Sequence, residues 1–161
     1  MWLSSTAQQA LHAVLCIAGS GADRPVRVDA IAAVIGCPRN YLSKTLHVLT
    51  RAGVLRSRRG PAGGFLLAVP PSQLTLAQVI APFEPASERR CLLGRPTCGD
   101  ADACAAHERW ACIAQRAEEF FQATTIAHLL RDWPSAGSTA RARLTSLRGP
   151  QTRRAHGPVR R

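Results

Sequence analysis

The stretch PRNYLSKTLHVLTRAGVLRSRRGPAGGFLLAV, residues 38–69, changes its period halfway along. Pro38 suits the first position of a helix, where its missing N–H has no intrahelical partner to lose. Leu42, Leu46 and Leu49 then recur at helical spacing, flanked by Tyr41 and Thr45, and form the stripe that turns inward. Arg39, Asn40, Ser43, Lys44 and His47 share the opposite side, and Gly53 ends the helix. From Val54 the pattern becomes that of strands: Val54–Arg58 and Phe65–Val69 can pair around a Gly/Pro tip. Arg56, Arg58 and Arg59 would then stand beside the bare backbone of Gly60, Gly63 and Gly64, where glycine permits close approach to a phosphate and arginine neutralises it. Such a hairpin taken alone reads equally as a solvated charge run.

What precedes it decides between the two readings. A short helix over 28–35 follows Pro25, with Asp29 in its first turn, Ile31, Ala32 and Ile35 facing inward, and Gly36 as its stop. Two short helices joined by a glycine-containing turn make a helix-turn-helix. The second carries hydrogen-bonding side chains near its N-terminus, where a recognition helix meets base edges. Upstream, Ser5-Thr6-Ala7-Gln8 fits a capping box, and Ala7, Ala10, Leu11, Val14, Leu15 and Ala18 form an apolar stripe ending at Gly19. A hairpin that follows such a unit reads as the wing of a winged helix-turn-helix. Downstream, Thr75-Leu76-Ala77-Gln78 opens another short helix, to about Phe83.

Charge divides the chain in the same way. Residues 1–72 hold 8 basic against 2 acidic side chains, residues 73–133 hold 6 against 8, and residues 134–161 hold 7 against none. A basic head beside a mildly acidic module suggests a polyanion partner. There are 20 Arg and a single Lys, Lys44, so part of the excess reflects composition. No run of 18 apolar residues exists, which excludes a transmembrane helix and a membrane partner. The first helix lacks the basic flank of a secretory signal, so the protein is expected to be cytoplasmic. The tail after Pro134 is rich in Ser, Gly, Pro, Ala and Arg and reads as disordered, a solubilising extension or an extra source of nonspecific DNA affinity.

The segment CLLGRPTCGDADACAAH, Cys91 to His107, lies between these parts. Its spacing is Cys91-x6-Cys98-x5-Cys104-x2-His107. Clustered cysteines in a reducing compartment serve metals or redox sensing more often than structural disulfides. Soft thiolates suit zinc and iron–sulfur clusters alike, but structural zinc sites usually include a tight Cys-x2–4-Cys pair, which is missing here. A helix starting at Cys104 would put His107 one turn on, on the same face. Cys16 reads as a core residue, Cys37 as a turn residue beside the recognition helix, and Cys112 as a weak alternative ligand. His12, His47, His128 and His156 show no partner pattern, although His47 could touch a phosphate or base. Beyond the cysteines, Trp110, Ile113, Ala114, Ala117, Phe120 and Phe121, continued by Ile126, Leu129 and Leu130, form a wide apolar face with no obvious partner in the chain. A symmetric dimer would bury it.

The runs STAQQALHAVL, NYLSKTLHVLTRAGVLRSRRGPAGGFLLA, LTLAQVI and CLLGRPTCGDADACAAHERW together resemble the Rrf-type winged-helix transcription regulators, the group with IscR-, NsrR- and RirA-like members, over roughly residues 2–131. The resemblance implies a homodimer on a partly palindromic operator of double-stranded DNA. The third helix would lie in the major groove and the wing at the minor groove and backbone. Its DNA-contacting set would be Arg39, Asn40, Tyr41, Ser43, Lys44, His47, Arg56, Arg58, Arg59, Gly60, Gly63 and Gly64. It also implies an iron–sulfur cluster on Cys91, Cys98, Cys104 and His107, with 2Fe–2S favoured over 4Fe–4S and zinc as the alternative. IscR-like members have three cysteines and this histidine, with a first gap one residue shorter. NsrR-like members take an acidic ligand from the partner's first helix, and residues 1–22 contain no Asp or Glu.

The expected fold class is mainly α with a small β-hairpin wing. Residues 1–83 would form the winged helix-turn-helix, 84–104 the cysteine-rich loop, 105–133 a long dimerisation helix and 134–161 a basic tail. The expected function is that of a DNA-binding regulator, a repressor, responding to iron, redox or nitric-oxide status and with no enzyme activity. The alternatives are a winged-helix regulator with a structural zinc or a cysteine thiol switch and no cluster and, from another class, an iron–sulfur electron-transfer protein. Ferredoxin-type sites use four closely spaced cysteines, and no Gly-rich nucleotide loop or paired acid and base occurs here.

Overall fold

A computed structural model describes residues 3–21, 23–84, 91–95, 98–131 and 133. The basic tail from residue 134 onward, and the entry to the cysteine loop at 85–90, lie outside them. The first helix, α1, runs Ser5–Gly19 and buries Ala7, Ala10, Ala13, Val14, Leu15, Cys16 and Ile17. So continuous a set of small and branched apolar residues makes α1 the central rod of the fold. The helices α2 (Val28–Ile35) and α3 (Arg39–Arg51) pack on it and on each other. Ser4, not Ser5, caps α1: its hydroxyl accepts from the Ala7 N–H at 3.2 Å. Gln8 donates to the Leu3 carbonyl, and with Ala7 at the third helical position the expected capping box gives way to a cap by Ser4, one residue earlier than expected. Pro38 is likewise the cap of α3 rather than its first turn. Gly36 ends α2 at φ 70°, a left-handed conformation that glycine adopts without a Cβ penalty.

The α3 stripe is buried as the leucine spacing requires, with Leu42, Leu46 and Leu49 fully enclosed and Thr45 beside them. The hairpin β1 (Leu55–Arg58) and β2 (Gly64–Leu67) pairs antiparallel, with Leu55 opposite Leu67 and Arg58 opposite Gly64. A bridge between Val26 and Phe65 ties the hairpin to the segment that enters α2. Helix α4 (Leu76–Ile80) carries the expected capping box between Thr75 and Gln78, but stops three residues short of Phe83. The chain is thus a winged helix-turn-helix.

Beyond the cysteines the expected single helix is two. Helix α5 (His107–Ala123) begins three residues after Cys104, and Thr124 is already extended. Thr125 and His128 then form a capping box that starts α6 (Ile126–Leu130). Backbone bonds from Leu76 to Thr124, Ile126 to Leu74 and Ala127 to Pro71 pin this break to the segment before α4. As a result α6 packs back on α1. Ile126 is fully buried in the core, and Leu129, Leu130 and Trp133 close over it. Ile126, Leu129 and Leu130, expected on the dimer face, belong to the reading head itself, and Phe121 of α5 also packs against its core. The physical reason is the capping box: it restarts the helix in a new direction, so the apolar faces on either side of it do not add up to one stripe.

Candidate DNA interface and thiolate site

The polar face of α3 and the arginines of the hairpin lie on the exposed side of the head. Arg39, Asn40, Lys44 and His47 are exposed, as are Arg56, Arg58 and Arg59, while Ser43 is half-buried. Three of the expected contact residues have structural work as well. The Tyr41 hydroxyl is hydrogen-bonded to the Thr6 hydroxyl, so it ties α3 to the start of α1. His47 lies edge-on to Phe65 of the wing, with ring centroids 6.0 Å apart. Arg39 donates from Nε to Asp29 Oδ1 at 2.6 Å, a pairing that the sequence pattern had not suggested.

The wing glycines separate into two kinds. A Cβ on Gly63 would stand 2.3 Å from the Arg58 carbonyl oxygen, and one on Gly64 would stand 2.6 Å from that of Val26. Both positions therefore require glycine to close the hairpin, whatever approaches it from outside. Gly60, at φ 104° with open space around it, leaves bare backbone on the surface beside Arg58 and Arg59.

At the other end of the molecule, Cys91, Cys98 and Cys104 bring their sulfurs within 4.8 Å of one another. Cys91 and Cys104 Sγ are 3.6 Å apart, and Cys98 Sγ is 3.3 Å from His107 Nδ1. Local backbone explains each placement. Gly94, at φ 71°, lets residues 91–95 curl into a tight turn closed by the Gly94 N–H to the Cys91 carbonyl at 2.9 Å. Within that turn the Arg95 and Leu93 N–H groups reach the Cys91 sulfur. Those two bonds favour the thiolate, the Arg95 N–H most, and hold the Cys91 thiol down at about 7. Cys98 goes the other way. The Cys104 N–H favours its thiolate, but desolvation and the neighbouring sulfurs of Cys104 and Cys91 outweigh that bond and raise it. A turn from the Cys104 carbonyl to the His107 N–H then delivers the histidine as the first residue of α5, so Cys104 precedes the helix rather than opening it. An ion pair between Arg95 and Asp102, at 2.7 Å, spans the loop, and Leu92, Trp110 and Ala111 wall the site. The Gly94 turn was legible in principle, because a Cys-x-x-Gly sequence can cradle a sulfur with backbone donors.

This donor set fits a thiophilic metal. With metal–sulfur bonds of about 2.3 Å, two thiolates on one tetrahedral ion stand roughly 3.8 Å apart, close to the Cys91–Cys104 separation. The sequence signal to these three cysteines was their spacing. Of the remaining cysteines, Cys16 and Cys37 are buried, with the Cys16 thiol pushed up by burial, and Cys37 bonds the Gln9 side chain at 3.3 Å. Cys112 is exposed on α5 and is not among the three gathered sulfurs.

A basic winged reading head joined to three gathered thiols with metal-ligating chemistry defines a class, the winged-helix transcription regulators. Comparison with known proteins gives the family. Residues 3–132 match the Rrf2 family, described as iron-dependent transcriptional regulators, and the chain belongs to that family. A candidate HTH-type transcriptional regulator of Aquifex aeolicus (strain VF5) is 38% identical over 133 residues, covering 81% of this chain and 92% of its own length. The regulator IscR of Yersinia enterocolitica is 29% identical over 132 residues, 82% of this chain and 80% of its own. Among solved structures, IscR of T. potens superposes with a TM-score of 0.67 at 24% identity, over 84% of this chain and 90% of that one. CymR, the global cysteine regulator of B. subtilis, superposes with 0.69 at 22% identity, over 81% and 96%. The chain is accordingly a DNA-binding transcriptional regulator and not an enzyme. Among the described residues no helix is long and apolar enough to cross a membrane.

Proposed function

We propose that this protein is a homodimeric repressor whose affinity for a partly palindromic operator depends on an iron–sulfur cluster held by Cys91, Cys98, Cys104 and His107. The single observation that carries the reading is the gathering of three thiols within 4.8 Å of one another, with His107 Nδ1 3.3 Å from Cys98 Sγ, in one walled site. When bound, the cluster supplies an electronic state that iron supply, oxidants or nitric oxide can alter. The remaining work falls to the chain. Cys91 and Cys98 come from the loop, and Cys104 and His107 lead into α5, so ligation ties the loop to the first turn of that helix. Helix α5 packs on α4, and α4 on α1. Loosening the loop then alters how α5 is seated against the head. In a dimer joined through α5, that sets the distance between two recognition helices, and half-site spacing is a geometric requirement for binding. Arg39, Asn40, Ser43 and His47 are the base-edge readers with Tyr41 alongside, and Lys44 holds a phosphate. Arg56, Arg58, Arg59 and the wing backbone at Gly60, Gly63 and Gly64 take the phosphates and the minor groove.

One observation favours a second reading. The sulfur separations already suit a single tetrahedral ion, which is the geometry of structural zinc. Anaerobic purification with iron, sulfide and zinc analysis separates the two. A coloured protein with stoichiometric iron and sulfide, bleached by nitric oxide and weakened for its promoter DNA, is the expected result. Colourless protein with one zinc per chain would sink the sensor.

A further inference from the structure

Arg39 sits at the first position of α3, where a lone guanidinium would close on the nearest phosphate. Instead its Nε donates to Asp29 Oδ1 at 2.6 Å, from the first turn of α2. Asp29 is shared: its other oxygen lies 3.9 Å from Arg27 Nη2, and Arg27 Nη1 reaches the Pro61 carbonyl at the wing tip, 3.5 Å away. The backbone beneath is fixed, because Val26 and Phe65 exchange both N–H···O bonds, at 2.9 and 3.0 Å. A carboxylate anchored between wing and recognition helix therefore holds Arg39 by one nitrogen.

We propose that Asp29 is a positioning residue that makes Arg39 a guanine reader. The inference rests on the reading of α3 as the recognition helix. Exposed ion pairs contribute little to folding, and both partners here are more than half exposed, so the consequence lies in orientation. With Nε engaged, the edge formed by Nη1 and Nη2 stays free, and that edge matches the paired O6 and N7 acceptors of guanine in the major groove. The Asp29 charge also repels phosphate oxygens while leaving neutral base-edge acceptors acceptable. Arg39 is thus steered away from sequence-blind contact and towards one base in each half-site.

The test is selection from a randomised duplex pool by the full-length protein, purified anaerobically, beside its Asp29→Asn, Arg39→Ala and doubly substituted variants. The wild type is expected to prefer guanine at one position of each half-site. Asp29→Asn and Arg39→Ala should each lose roughly tenfold in that preference, at that position alone, and the double variant no more than Arg39→Ala. Asp29→Asn should also bind random-sequence duplex more tightly, with a salt slope steeper by about one, at an unchanged thermal midpoint. Retention of the guanine preference in Asp29→Asn, or an equal decline at every position, overturns the inference. The Arg58→Ala, Arg59→Ala variant checks the underlying interface independently: unchanged affinity for promoter DNA there defeats the reading of the head itself.

Discussion

In α3, Leu42, Leu46 and Leu49 have no exposed surface, whereas in α5, four residues longer, no side chain is buried. Ile113 is 49% exposed and Phe120 54%. Both helices carry an apolar stripe, so hydrophobic periodicity alone would rank them alike. What separates them is the supply of neighbours. Helix α3 has α1, α2 and β1 around it, while α5 has α4 at one end and the cysteine loop at the other. The head is closed within one chain, and α5 is left with an apolar face that a second copy would cover. Burial in the core and an exposed apolar face thus fall on different helices, and substitutions should tell them apart.

The sharpest contrast sets Ile126 against Ile113. Ile126 lies in the core of the head, and Ile126→Ala should cost about 2–5 kcal/mol in denaturant unfolding. Ile113→Ala should change the unfolding free energy of the monomer by less than about 0.5 kcal/mol, yet shift sedimentation towards monomer at low concentration. Equal effects from both would erase the distinction between the core of the head and the exposed face of α5. Gly63→Ala comes next: the Cβ meets the Arg58 and Gly60 carbonyl oxygens, and opening the hairpin should cost about 1–3 kcal/mol, with promoter affinity reduced as well. Thr125→Ala removes the cap that turns the chain between the two regions, for about 1 kcal/mol in thermal unfolding. A full loss of α6 docking would make the break more important than a cap alone.

The smallest effect concerns His12, whose ring packs 6.1 Å from Trp133 and whose pKa is lowered by burial. Because the unfolded chain takes up the proton first, the stabilisation is complete above the unfolded value of 6.5 and declines as pH falls below it. The thermal midpoint should fall as pH drops below 6.5, and His12→Gln should flatten that dependence. An identical slope in the variant would place the titration elsewhere.

Much of the head was legible because its signals are local. The α2 stop at Gly36, the Thr75–Gln78 box and the leucine stripe of α3 each depend on residues within one or two turns. The errors arose where two local signals competed. Ser4 and Ser5 are both acceptable caps, and the choice depends on which hydroxyl meets the Ala7 N–H. Thr124-Thr125 could continue a helix of branched residues or break it, and the break prevails because Leu74 and Thr75 offer it backbone partners. The cysteine spacing singled out the three sulfurs that the fold gathers, but the Arg95 N–H under Cys91 and the Arg95–Asp102 strut depend on a turn whose shape no spacing encodes.

By itself, the order of residues determined a basic winged reading head, a thiolate-rich loop and an apolar helix, since periodicity, caps and donor chemistry are properties of neighbours along the chain. Only the tertiary structure decided that Ile126 of α6 is buried in the head's core while α5 buries no side chain fully, that two wing glycines are there for packing, and that Asp29 meets Arg39. Each of those outcomes depends on which groups the folded chain brings together, and burial, close approach or charge pairing between them is settled by folding.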